Sequence, residues 1–129
     1  MSRLITLGLA TLAGVAIGAA AISGLQAQGK GPGAYAIIDI SEVTNLNDFK
    51  TLLPKAGPAM TPFGGQFVAR TENVVSLDGT VPPKRFVIIS FDNIDKAKLW
   101  YNSPAQNEVN TINKRSTKSR IFVVDNMLQ

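Results

Sequence analysis

Between Lys84 and Phe91 hydrophobic residues do not alternate with polar ones. Phe86 and Ile88 fall on one side of an extended chain, and Val87, Ile89 and Phe91 on the other. Pro82-Pro83 and Asp92-Asn93 bound the run, and its β-branched and aromatic content predicts a strand that needs cover on both faces. Ala34–Ser41 predicts an earlier strand, with Tyr35, Ile37, Asp39 and Ser41 opposite Ala36, Ile38 and Ile40. Gln66–Thr71 predicts another, resuming through Asn73–Leu77 before the turn pair Asp78-Gly79. Arg120–Asp125 predicts the last, again apolar on both sides.

Two segments carry the helical period instead. Leu46, Phe49, Leu52, Leu53 and Ala56 follow Asn45, whose side chain can cap the first turn. Pro54 and Pro58 are expected to bend or interrupt this helix, because each lacks an N–H and crowds the preceding turn. Gly64-Gly65 ends it by supplying positive φ. A second helix is expected from Asp92 or Asn93, with Ile94, Ala97 and Trp100 or Tyr101 inward. Ser103-Pro-Ala-Gln106 is a capping box with proline at the first helical position, so the helix restarts there and runs to about Ser116.

The order is strand, helix, strand, strand, helix, strand, which predicts an α+β ferredoxin-like βαββαβ fold. Its four-stranded antiparallel sheet carries two helices on one face. Nothing within residues 34–129 is left to cover the other face. Exposing three or four Val, Ile or Phe side chains there forfeits roughly 1.5–3 kcal/mol each. That sum is comparable with the whole stability of a domain, about 5–15 kcal/mol. Two copies packed sheet against sheet, a dimeric α+β barrel, are therefore expected, the chain being its own partner.

Ahead of this domain, Arg3 is the only charge before Lys30. An apolar run and the small-residue end Leu25-Gln-Ala27 make residues 1–27 a secretory signal peptide cleaved after Ala27, or a retained membrane anchor over residues 4–25. Either reading places the domain outside the cytoplasm, periplasmic or secreted in the first case and membrane-anchored in the second. Only retention of the leader involves a membrane. No cysteine follows the run, which excludes a lipid-anchored lipoprotein. Residues 28–33, rich in glycine, are expected to be a flexible linker.

Composition narrows the chemistry. The 129 residues include no cysteine and no histidine. Disulfides, thiolate nucleophiles, Cys-based metal sites and Ser-His-Asp triads are thereby excluded. No cofactor and no metal site is indicated. A net charge of +4 slightly favours small anions and is too weak to imply nucleic acid.

Phe63-Gly-Gly-Gln-Phe67, Arg70, Leu77-Asp-Gly79, Arg85, Phe91, Ala97 and Trp100-Tyr-Asn-Ser-Pro104 together resemble the bacterial family catalogued as domain of unknown function 1330. That family lies within the dimeric α+β-barrel superfamily, and the resemblance runs from about Tyr35 to Val124. It implies the same fold and homodimer and brings no agreed reaction. The chain departs from the family pattern at Ser90, where a glutamate is usual, at Ala105-Gln106 in place of Glu-Tyr, and at Pro54. If that glutamate does chemistry in relatives, this chain has lost it.

Candidate site residues each have a structural alternative. Gly64-Gly65 is a helix stop before it is an anion cradle. Asp39, a carboxylate in an apolar strand, is either a buried base or a rim residue paired with a cation. Arg70 and Arg85 suit a carboxylate ligand or ordinary ion pairs. Trp100 and Tyr101 line a pocket or fill the core. Ser103 is explained as an N-cap, and Asp92-Asn-Ile-Asp95 as a cap in preference to a cation loop. Lys114-Arg115, Lys118 and Arg120 suit a helix C-terminus.

The leading expectation is a small-molecule-binding module, its pocket between sheet and helices lined by Asp39, Arg70, Ser90, Trp100 and Tyr101. The ligand would be a small anionic or apolar molecule. The alternative is a cofactor-independent enzyme, oxygenase- or isomerase-like, with Asp39 as its base. A third possibility is an interaction module that needs only its dimer surface.

Overall fold

The computed structural model describes residues 31–127. The leader and the start of the expected linker lie outside them. Gly33, at the end of that linker, is already tied to the sheet. Its N–H donates to the Phe91 carbonyl at 3.0 Å, and its own carbonyl accepts from Asn126 N–H at 2.9 Å.

Four strands are observed: β1 (Ala34–Val43), β2 (Gln66–Thr71), β3 (Arg85–Phe91) and β4 (Thr117–Asp125). They form one antiparallel sheet in the order β2-β3-β1-β4. Three helices accompany it: α1 (Leu46–Met60), α2 (Ile94–Tyr101) and α3 (Pro104–Ser116). This is the ferredoxin-like α+β arrangement, with the second helix divided at Ser103 as its capping signal predicts. Asn45, Asn93 and Ser103 cap the three helices, each accepting from the backbone N–H three residues on. The Asp92–Asp95 stretch thus serves as a helix start.

Two local expectations are corrected. Pro54 and Pro58 do not break α1, which continues through both. They lie four residues apart on the exposed side, so the carbonyls they leave unpaired face water instead of the core. Asn73–Leu77 does not resume the strand. Thr71 Oγ1 accepts from Asn73 N–H at 2.9 Å and turns the chain away. The loop that follows leaves Val75, Leu77 and Val81 exposed.

Two bulges set which residues face the helices. β1 slips between Ile40 and Glu42 against β4, and β2 slips between Phe67 and Ala69 against β3. Each inserts one residue and restarts the alternation. Val43 therefore joins Ile40 under the helices, and Arg70 is brought to the same side as Phe67.

The core forms two clusters on the helical face. One contains Ala36, Met60, Ile89, Phe91, Ala97 and Trp100. The other contains Ile40, Phe49, Leu52, Ala59, Val109 and Ile112. Ile38 packs against both. On the opposite face Ile37 stands between Ile88 and Phe122, and Tyr35 between Ser90 and Val124. No element among the described residues covers that face. Among the described residues, no helix is long and apolar enough to cross a membrane.

Candidate functional site

Where the two clusters meet, the helices and sheet border a cavity of about 520 Å³ that is open to solvent on one side. This is within the range of small-molecule sites, about 300–1,000 Å³. Its floor is Ile38, Ile40, Val87 and Ile89 from the two central strands. Phe49, Leu52 and Val109 form the roof, from the apolar stripes of α1 and α3. The wall between them is mainly hydrocarbon.

Trp100 is among the lining residues. It stacks at a tilt on Phe91, with ring centroids 5.3 Å apart, and meets Tyr101 edge-on at 6.1 Å. The indole is 1% exposed, and its Nε1–H has no hydrogen-bond partner. Gln106, also lining the cavity and 3% exposed, presents an unpartnered Oε1.

The orientation of Gln106 follows from a short relay. The Tyr101 carbonyl can only accept, so Asn110 turns its Nδ2 toward it, at 3.1 Å. Asn110 Oδ1 then faces Gln106 and takes a hydrogen bond from Nε2 at 2.9 Å. Both amides are thereby fixed, and the Gln106 oxygen remains as the free end. Asn113, one turn on, is satisfied by Ser119 and Thr117.

Three charged residues, Arg70, Glu72 and Arg85, are among the lining. Arg85 pairs with Glu72 at 2.5 Å and lies over the Phe49 ring at 4.9 Å. Arg70, turned inward by the β2 bulge, lies over Phe67 at 4.8 Å. Glu72 is the one carboxylate among the lining residues, and it is largely exposed.

Of the five expected lining residues, Arg70 and Trp100 are in this cavity. Tyr101 instead borders a smaller recess of about 100 Å³ with Lys114 and Ser119. Asp39 and Ser90 are on the other face of the sheet. Their register partners there are Phe86 and Arg120 for Asp39, and Tyr35 and Gln66 for Ser90. Strand alternation excludes them from the helical side. Asp39 is paired with Arg120 at 3.0 Å, which is the rim-type pairing and not a buried base. Of the remaining basic cluster, Arg115 is engaged by Asp48 and Lys118 by Glu42. Among the described residues no three carboxylates gather where they could hold a metal ion.

Gln106 and Asn110 were not among the expected site residues. Their signal was present: polar amides at helical spacing with Val109, Ile112 and Asn113 on the stripe that α3 buries. The two adjacent glycines also separate in role. Gly64 has φ 76° and ends the 3₁₀ turn Thr61–Phe63. Gly65 instead lies flat against the Phe91 ring and Met60.

Comparison with known proteins adds the following. The model of a protein family described as domain of unknown function DUF1330 matches residues 33–127. A solved protein of unknown function from Rhodopseudomonas palustris is similar at a TM-score of 0.59 and 12% identity, over 76% of this chain and 85% of that one. SnoaB, a cofactor-independent oxygenase from Streptomyces nogalater, is similar at a TM-score of 0.52 and 12% identity, over 76% of this chain and 96% of that one. At such identities the likeness is one of fold. No curated protein matches the chain.

Proposed function

We propose, for a chain that belongs to the family of the domain of unknown function DUF1330, that the helix–sheet cavity binds a small, largely apolar molecule. The observation that carries this reading is the cavity itself. A gap of about 520 Å³ between two core clusters leaves its lining without the contacts that a close-packed interior provides. An apolar guest restores them.

The alternative, a cofactor-independent oxygenase- or isomerase-like enzyme, finds less support. One fold neighbour is such an oxygenase, but Asp39, the base that reading needs, is across the sheet beside Arg120. Homodimerisation through the open sheet face belongs to the same proposal, with Ile37, Ile88 and Phe122 at the centre of the contact. So does export directed by residues 1–27, which cell fractionation and N-terminal sequencing of the purified protein would check.

The binding test uses 8-anilinonaphthalene-1-sulfonate, an apolar dye with one anionic end. Trp100 is the only tryptophan, so energy transfer from it reports bound dye, and a cavity-filling variant then locates it. Val87→Phe fills the floor, and dye affinity is expected to fall at least about tenfold while the circular dichroism spectrum is kept. Unchanged affinity in that variant would place the dye elsewhere and remove the support for this reading.

A further inference from the structure

Resting on the cavity reading above, we infer that its ligand is an amphipathic monoanion, an apolar frame bearing one carboxylate, which Arg70 receives. Of the charged lining residues, Glu72 and Arg85 hold each other, which leaves one cation over. The four arginines among the described residues divide in the same way. Arg85, Arg115 and Arg120 each pair with a carboxylate. Arg70 has neither a carboxylate partner nor a hydrogen-bond acceptor among the described residues. Its guanidinium lies instead over the ring of Phe67, which lines the same cavity. A cation–π contact steadies it there and leaves its N–H donors for an oxygen acceptor.

The sheet register sets where that anion stands. Arg70 is opposite Val87, a floor residue, and side chains paired in this way are roughly 4.5–5.5 Å apart at Cβ. Without the residue inserted between Phe67 and Ala69, alternation would send Arg70 to the other face. A carboxylate on Arg70 therefore lies beside the hydrocarbon floor and needs no spacer from its apolar frame. Arg70 is itself solvent-exposed, so the pair keeps part of its hydration and escapes the heavy desolvation cost of a buried one. The guanidinium fork matches a planar carboxylate with two parallel hydrogen bonds. A hydrocarbon leaves these donors to water, and an ammonium group meets a lining of net positive charge. A dianion brings a second charge for which the lining holds no further unpaired cation.

The test is calorimetric titration of the purified protein, at low salt and neutral pH, with three probes of one shape: adamantane-1-carboxylate, adamantane-1-carboxamide and 1-adamantanamine. The first is anionic, the second neutral and the third cationic. The carboxylate is expected to bind about three- to tenfold more tightly than the carboxamide, between the worth of an exposed ion pair and that of a charge-assisted hydrogen bond. Arg70→Met keeps a hydrocarbon stem over Phe67 and removes the charge. It should bring the carboxylate down to the carboxamide's level and leave carboxamide affinity within about twofold. Lys98→Gln removes the same charge from the exposed side of α2 and should leave the preference in place. Equal binding of carboxylate and carboxamide by the wild type, or tightest binding of the amine, overturns the carboxylate assignment and leaves the cavity reading standing. A preference that survives in Arg70→Met, or is lost in Lys98→Gln, overturns the assignment to Arg70. Binding of none of the three overturns the cavity reading along with it.

Discussion

Adding one methyl group at Gly65 tests how the turn into β2 is packed. A Cβ there would stand 2.9 and 3.0 Å from two atoms of the Phe91 ring and 3.0 Å from Met60 Cβ. Comfortable carbon–carbon contact is about 3.5–4.0 Å, so three contacts are too short by roughly 0.5–1 Å. Phe91 cannot retreat, being buried against Trp100, and Met60 is buried as well. Overpacking of this kind is destabilising by about 1–3 kcal/mol. The lower entropy of the unfolded chain with alanine offsets about 0.4–1 kcal/mol. Gly65→Ala should therefore lower stability by about 1–2 kcal/mol.

Its neighbour provides the control. At Gly64 the nearest atom to an added Cβ is 4.0 Å away, but φ is 76°. Alanine there is unfavourable by about 1–2 kcal/mol for the left-handed backbone alone, and asparagine, which tolerates that conformation, should recover most of it. Asparagine at Gly65 should recover nothing. Urea unfolding followed by Trp100 emission measures all four variants. Shrinking the obstacle with Phe91→Leu should at least halve the Gly65→Ala penalty and leave that of Gly64→Ala unchanged. A Gly65→Ala protein as stable as the wild type, or one rescued by asparagine, would refute the packing argument.

Other consequences can be measured separately. Pro58→Ala should raise the thermal midpoint, since α1 continues through the proline and alanine restores an N–H for the Pro54 carbonyl; a gain of about 1–2 kcal/mol is expected. Asn93→Ala should lower stability by about 1 kcal/mol in urea unfolding through loss of the α2 cap. Glu108→Ala should change stability by less than about 0.5 kcal/mol, because its ion pair with Lys55 is solvent-exposed. Sedimentation equilibrium at micromolar concentration should show a dimer for the wild type, and Ile37→Lys should give folded monomer or unfolded chain. A well-folded wild-type monomer would sink the dimer.

Much of the architecture was legible because local signals agreed. The two-sided hydrophobicity of β3, the caps at Asn45, Asn93 and Ser103, and the order of elements all point to one sheet and one helical layer. The site was less legible, for three physical reasons. Alternation correctly grouped Asp39 with Tyr35 and Ile37, but it does not say which face meets the helices; the small Ala34 and Ala36 on the other side, both fully buried, are the hint to that. Arg70 reaches the cavity through a bulge, and one inserted residue reverses every inference from period two. Gln106 reads as part of the Ser103 capping box and Asn110 signals no role, whereas here their amides serve each other within a buried stripe.

The bulge in β2 also bears on how the molecule meets its neighbours in a crowded solution. β2 is a border strand of the sheet, six residues long, and Val68 interrupts its regular row of donors and acceptors. The far border, β4, bears Lys118 and Arg120. Neither margin is a good template for a further strand, so fibrous growth by end-to-end zippering is discouraged at both. The self-association proposed above uses the broad flat of the sheet instead, and a contact of that kind would close after two copies and not propagate.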